Sequence, residues 1–305
     1  EWTGGNALEE NVHVQVLADG VIEVFTAVNA MGQGIATSLA QLVVDVFGVP
    51  ITQVRIVMGD TDRANGFGSA GSRSLFTGGS AVSVGAQKTW DKAQQLATDA
   101  LEASAQDLRY EQGVFFVAGT DVKISLADLA SRQSDQRIAL QSTTAASGPT
   151  WPNGCHVCEV ELNPNTGEVQ VVSYASMNDV GRVVNPTIVR GQLDGGAVQG
   201  LGQALCEQVV YDRETGQLLT GSLMDYAIPH ADVMPAFFDT HMDESIPCKN
   251  NVLGVKGVGE LGTIGATPAL VNAVADALAR NGKADVAPRL QMPLSAHRVW
   301  HLLNA

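Results

Sequence analysis

Basic residues are scarce in this sequence. Eighteen Lys and Arg stand against 32 Asp and Glu, a formal net charge of −14 over 305 residues. A long-range field of that sign repels nucleic acid and anionic membrane surfaces, so no nucleic-acid partner is expected. It does not exclude an anionic cofactor. Backbone N–H groups at glycine-rich turns and helix N-termini hold phosphate without net basic charge. No apolar run approaches the ~20 residues that span a bilayer, and no membrane insertion is expected. No signal peptide opens the sequence, which reads as cytoplasmic. The first residue is Glu1 rather than Met, so the sequence is expected to be a fragment or a processed product.

Cysteine is sparse too: Cys155, Cys158, Cys206 and Cys248. Cys155-His156-Val157-Cys158 has the spacing of a metal or redox motif. Its surroundings alternate as a strand, however, with Cys155, Val157 and Glu159 on one face and His156, Cys158 and Val160 on the other. Cysteines on opposite faces do not chelate one ion, and no second Cys-x-x-Cys completes a zinc site. They read as small packing residues of a reducing compartment, and no protein metal ligand is predicted.

What is present is a globular composition, 45% hydrophobic and 16% charged. The length suffices for one large domain or two ordinary ones. Val12, Val14 and Val16 alternate, Asp19-Gly20 turns the chain, and Ile22, Val24 and Thr26 alternate again, which predicts a hairpin over 12–28. A helix follows with Ile35, Leu39, Leu42, Val43 and Val46 on one face, ended by Gly48 and Pro50. Val54, Ile56 and Met58 read as a strand, 66–80 as a glycine- and serine-rich loop, and 81–109 as a long helix. A second hairpin is predicted over 156–162 and 168–174. A loop at Gly195-Gly196 then leads into an apolar, helical segment from Ala197 to Val210. The order hairpin, glycine-rich loop, helix thus occurs twice. Residues 143–154 form the boundary, giving units 1–145 and 146–305. Hairpins mixed with helices point to an α+β fold of two related units.

Four segments have the make-up of ligand-binding loops. Gly32-Gln33-Gly34 opens a helix, where glycines admit close backbone approach and the N-terminus offers unpaired donors. Taken alone it is equally a tight turn. Gly68-Ser69-Ala70-Gly71-Ser72-Arg73-Ser74 combines flexible backbone, hydroxyls and one guanidinium, a set suited to phosphate or to a mobile surface loop. Asp179 to Pro186, followed by Gly191-Gln192, is ordinary turn chemistry on its residues alone. Gly254 to Gly262 surrounds the single carboxylate of Glu260 with small residues. A helix is predicted to follow, with Thr267 as N-cap and Pro268 at its first position. Glu260 there either faces a ligand or complements the positive end of that helix.

In this order the segments resemble the molybdenum hydroxylase family, which includes xanthine dehydrogenase, aldehyde oxidoreductase and carbon monoxide dehydrogenase. The resemblance is carried by Met31-Gly32-Gln33-Gly34, Gly71-Ser72-Arg73-Ser74, Asp179 to Gln192, Gln199-Gly200-Leu201-Gly202 and Lys256-Gly257-Val258-Gly259-Glu260. Met292-Pro293-Leu294 through Arg298-Val299-Trp300 adds to it. It implies the C-terminal half of the molybdopterin-binding large subunit, with Glu260 as catalytic base beside the molybdenum. It also implies that Gly32, Gln33, Gly34, Gly71, Ser72, Arg73, Ser74, Asp179, Asn185, Gln192 and Lys256 serve the cofactor. That cofactor is molybdenum-molybdopterin, in bacteria often the cytosine dinucleotide form. The implied partners are the N-terminal half, a 2Fe-2S iron–sulfur subunit, an FAD subunit and a small-molecule substrate, an N-heterocycle or aldehyde hydroxylated with oxygen from water. Family large subunits are much longer. Their Gly-Gly-x-Phe-Gly loop and substrate-gating residues, carried by the N-terminal half, are missing here. The competing reading is a cofactor-free fragment or assembly module without activity of its own.

Overall fold

The computed structural model describes residues 8–305, and two compact units emerge from it. The first comprises the described residues up to Trp151 with Gly181–Asn185 and Ile246–Gly257. The second comprises Pro152–Val180, Pro186–Ser245 and Val258–Ala305.

In the first unit β1 (Glu9–Leu17) and β2 (Ile22–Thr26) form the expected antiparallel hairpin, with Gly20 at φ 85° in the turn. The helix α1 (Ile35–Phe47) crosses over to β3 (Val54–Met58), which pairs parallel to β2. Gly48 ends α1 in the left-handed region, as its position predicts. A further strand, β4 (Arg137–Ala145), pairs antiparallel to β1 and completes a four-stranded sheet. Its buried face packs on α1 and on α2 (Ser80–Leu101). Val12, Val14, Val16, Leu39, Phe47 and Phe76 are fully buried there. A small sheet lies in between, β5 (Leu108–Glu111), β6 (Val114–Val117) and β7 (Lys123–Ser125), followed by α3 (Leu126–Ser131). A capping box of Ser125 and Asp128 starts α3.

In the second unit β8 (Asn153–Leu162) and β9 (Val169–Asp179) form the second expected hairpin, with one bulge at Glu159/Val160. The helix α4 (Pro186–Leu205) crosses over to β10 (Phe237–Asp243), which pairs parallel to β9. The helices α5 (Leu261–Arg280) and α6 (Ala296–Leu303) follow. Hairpin, crossover helix, parallel strand and packing helix therefore recur in both units. The repeat suggested by the sequence is a repeat of topology.

Three expected boundaries move, each for a local reason. First, the helix expected over 81–109 stops at Leu101, where Glu102 takes a left-handed backbone, and 108–111 are a strand. At its other end the chain already winds as a π-turn over Ser74–Gly79. A side chain at Gly78 or Gly79 would come within 2.9 Å of Val28 or Leu75, so those glycines serve packing. Second, Gly195-Gly196 is not a loop. It lies inside α4, which starts at Pro186, a residue suited to the first helical position, and ends at Leu205, short of Val210. Third, α5 starts at Leu261, with Pro268 inside it. The Thr267 hydroxyl caps nothing; it donates across to the Gly200 carbonyl of α4 at 3.0 Å.

α5 is also long and apolar enough, by length and composition, to cross a membrane. Its buried stripe of Leu261, Ala266, Leu270, Val274 and Leu278 packs on β8 and α4, which marks it as a core helix.

Candidate functional site

In the first unit two of the predicted loops are one structure. Gln33 folds back on its own turn, donating from Nε2 to the Asn29 carbonyl at 2.8 Å and accepting from the Met31 N–H at 2.6 Å. The Ser69 hydroxyl donates to that same carbonyl at 3.1 Å and accepts from the Asn29 N–H at 2.9 Å. Ser74 Oγ donates to Ser69 Oγ at 2.8 Å. A continuous hydrogen-bonded path therefore joins Gln33, Asn29, Ser69 and Ser74. Asn29 and Ser69, which hold it together, were not among the predicted site residues. An Asn next to a glycine turn is the sequence signal that points to the first.

Several backbone positions here are left-handed. Gly32 has φ 98°, Gly34 74°, Gly71 52°, and Ser72, a non-glycine, 58°. Such a conformation costs a non-glycine about 1–3 kcal/mol and persists only where the surroundings hold it. A side chain built on Gly32 would meet nothing within 4 Å, so glycine is required there by the backbone, and open space adjoins it. Gly34 is the N-cap of α1 and supplies no side-chain cap.

Arg73 corrects an expectation. It is not a surface donor for phosphate, because its side chain is 0% exposed. Its Nη1 pairs with the equally buried carboxylate of Glu10 and donates to the Gly68 carbonyl at 2.5 Å. The guanidinium is committed beneath the loop, where it anchors Gly68 to β1. Burial pushes the Glu10 carboxyl above its usual range, against the opposing pull of Arg73. Glu10 went unnoticed in the sequence, yet it shares strand parity with the buried Val12, Val14 and Val16.

Two more predicted stretches meet in the first unit. Gly181 bridges Val255, and the Arg182 N–H donates to the Gly254 carbonyl at 2.9 Å. A side chain at Gly181 would come within 2.5 Å of that carbonyl and 3.1 Å of the Lys256 stem. Lys256 itself is buried. The Asn185 amide donates to Gln41 Oε1 of α1 at 2.8 Å.

Asp179, Gln192 and Glu260 belong to the second unit. Asp179 closes β9, in register with Asn153 and Asp243. Glu260 is the exposed N-cap of α5, and its carboxylate caps no N–H of the first turn. Two residues on, Gly262 lies against α4: a side chain there would sit 2.4 Å from the Leu193 carbonyl and 2.8 Å from the Ala197 nitrogen. Gln192 precedes Leu193. The α4–α5 crossing thus fixes the backbone on both sides of the contact, next to Gln192 on one helix and Glu260 on the other.

Cys155 and Cys158 fall on opposite faces of β8 as strand alternation requires, Cys155 exposed and Cys158 half-buried. Burial pushes the Cys158 thiol to about 11. Behind it, Tyr174 Oη and His156 Nδ1 lie 2.5 Å apart.

The chain is similar to the family described as molybdopterin cofactor-binding domain over residues 2–235. It is 36% identical over 294 residues to the 6-hydroxypseudooxynicotine dehydrogenase complex subunit gamma of Paenarthrobacter nicotinovorans, covering 93% of this chain and 37% of that one. To the nicotine 6-hydroxylase large subunit of the same organism it is 37% identical over 289 residues, with coverage of 91% and 35%. Its fold superposes on the crystal structure of the Cu,Mo-CO dehydrogenase with a TM-score of 0.83 at 30% identity, covering 98% of this chain and 38% of that one. The chain therefore spans little more than a third of the length of these relatives.

Proposed function

The chain belongs to the molybdopterin cofactor-binding domain family of the molybdenum hydroxylases, and from that premise we propose that it is the C-terminal part of the molybdenum-cofactor subunit of a xanthine-dehydrogenase-like oxidoreductase. The reaction proposed is hydroxylation of an electron-poor carbon, in an N-heterocycle or aldehyde, with oxygen from water. The name of the nicotine hydroxylase relative favours the heterocycle.

The observation that carries this reading is the joined loop pair of Gln33, Asn29, Ser69 and Ser74. Its donor set is backbone N–H, hydroxyl and amide, beside open space at Gly32 and at the uncapped start of α1. That chemistry fits the phosphate of a pterin cofactor, whose metal needs no ligand from the protein. Gly32, Gln33, Gly34, Gly71, Ser72 and Ser74 would hold it directly, whether as molybdopterin or as the cytosine dinucleotide. Arg73 would act from beneath, by fixing the loop. Asp179, Asn185 and Lys256 are assigned to the cofactor on resemblance, with the bridge at Gly181 and Val255 ordering their loops.

When bound, the cofactor supplies two-electron redox chemistry at molybdenum. Glu260 would accept the proton that the attacking oxygen must lose, and Gln192 would help to hold the cofactor. Partner subunits carrying 2Fe-2S and FAD would take up the electrons, in the cytoplasm.

Purification of the chain alone and together with the missing N-terminal half tests the reading. Denaturation should release the fluorescence of oxidised pterin, and elemental analysis should find molybdenum, in the co-expressed complex. A complex without pterin overturns the function. Stoichiometric cofactor on the chain alone overturns the need for the other half.

A further inference from the structure

We infer that α6 carries a transition-metal site formed by His297 and His301, independent of the cofactor. The two residues are four apart on a helix and so share one face. Their Nε2 atoms are 3.0 Å apart, with ring centroids at 4.4 Å and planes at 87°. Zinc-type metal–nitrogen bonds are about 2.0–2.1 Å. Two such nitrogens stand about 2.9 Å apart at a right angle and about 3.4 Å at a tetrahedral one. The observed spacing lies within that interval, so one ion reaches both rings without unwinding the helix. Both imidazoles are exposed, while Val299 between them is fully buried in the core of the second unit. The packed side of α6 thus holds the chelating side in place.

The same rings line a cavity of about 310 Å³ with Leu290, Leu294 and Leu302, which gives water access to the remaining coordination positions. Among the described residues no group of three His, Cys, Asp or Glu stands close enough to hold an ion, so the site has two protein ligands. Arg289 and Arg298 also line the cavity. Arg298 is turned to the carbonyls of Met292 at 2.6 Å and Pro293 at 3.3 Å, yet both charges weaken the hold on any dication. The ion must therefore gain its affinity from nitrogen bonding, which selects Ni²⁺, Cu²⁺ or Zn²⁺ over the oxygen-seeking Mg²⁺ and Ca²⁺. Without metal, one ring donates its Nε2–H to the other. Binding moves that proton to the same ring's Nδ1, so that both Nε2 lone pairs face the ion.

Ni²⁺ is the suitable probe, because imidazole suits it and the variants below separate these two rings from every other donor. The whole chain is titrated with Ni²⁺ by calorimetry, and the thermal midpoint is followed with and without the ion. One-to-one binding and a raised midpoint are expected. Changes in outer-shell residues alone cost about 10–100-fold in metal affinity, so His297→Ala and His301→Ala should each weaken binding at least about tenfold. Both side chains are exposed, and matching circular dichroism will establish that the variants fold. His241→Ala, which removes the exposed His241–Asp239 pair, should change nothing. No heat at millimolar Ni²⁺, or binding that survives in the double His297→Ala/His301→Ala variant, overturns the assignment.

Discussion

Gly196 of α4 and Gly262 of α5 lie in backbone contact: a side chain on Gly196 would come within 3.0 Å of the Gly262 α-carbon. The reverse substitution is tighter still, at 2.4 Å from the Leu193 carbonyl oxygen. Two helices that meet through backbone leave no flexible atom to give way. Gly262→Ala should therefore separate α4 from α5 and destabilise the second unit by about 1–3 kcal/mol, the usual cost of overpacking. Urea denaturation of wild type and variant measures it. A loss below 0.5 kcal/mol, the scale of ordinary surface changes, would mean the crossing is looser than described.

The buried Glu10–Arg73 pair leads to a second expectation. Removing one partner leaves the other charge buried and unanswered, which costs about 3–5 kcal/mol. Glu10→Ala should lose that much stability. Glu10→Gln, which keeps an acceptor for Arg73, should lose less. Equal losses in both, read from denaturation midpoints, would show that the charge is immaterial.

These features divide into what side-chain pattern reveals and what it hides. The hairpins of Val12–Thr26 and His156–Tyr174 were legible because strand periodicity and turn residues agree in them. The glycines were harder. Gly195, Gly196 and Gly262 look like loop residues, since sequence alone does not separate a glycine that bends the chain from one that admits a neighbouring helix. Arg73 beside two serines looks like a phosphate donor. Only the partner 63 residues away in β1 turns it inward. The Asn29–Ser69 link joins loops 40 residues apart and has no local signal beyond turn composition.

Stability should fall in mild acid, and His156 should contribute. Burial lowers its pKa below the usual 6.5, and burial does the same to His13 in the first unit. The folded form therefore binds fewer protons than the unfolded one in this window. The stability is fully present above pH ~6.5 and is lost as pH falls through the lowered folded values. Thermal midpoints between pH 8 and pH 5 should drop, and less steeply in a folded His156→Gln variant. An identical slope in that variant would remove His156 from the account.

The two cysteines of β8 should react unequally. Cys155 is exposed, whereas Cys158 is half-buried with its thiol at about 11, so little thiolate forms at neutral pH. Iodoacetamide at pH 7.5 with peptide mapping should label Cys155 well before Cys158. Equal labelling would mean that β8 opens on that timescale.

The catalytic proposal for Glu260 is decided by magnitude. Its setting is Gly257-Val258-Gly259-Glu260-Leu261-Gly262, at the start of α5 and two residues from the α4 contact. Glu260→Gln keeps size and shape but removes proton acceptance at neutral pH. Loss of a general base commonly costs about 10²–10⁴-fold in rate. If Glu260 only complements the positive end of α5, the same change costs about 0.3–1 kcal/mol of stability and leaves the chemistry nearly untouched. The measurement is the reductive half-reaction of the complete enzyme, with molybdenum content determined on the same samples. A fall of at least about a hundredfold at equal molybdenum content is the expected result. Unchanged turnover at equal content would falsify the catalytic role. Gln192→Ala provides the contrast: on the proposed role of holding the cofactor, its loss should cost about 10–100-fold in cofactor affinity or activity, without abolishing proton acceptance. Rate and molybdenum content together separate the two variants: Glu260→Gln should lose rate at equal content, whereas Gln192→Ala should lose content as well.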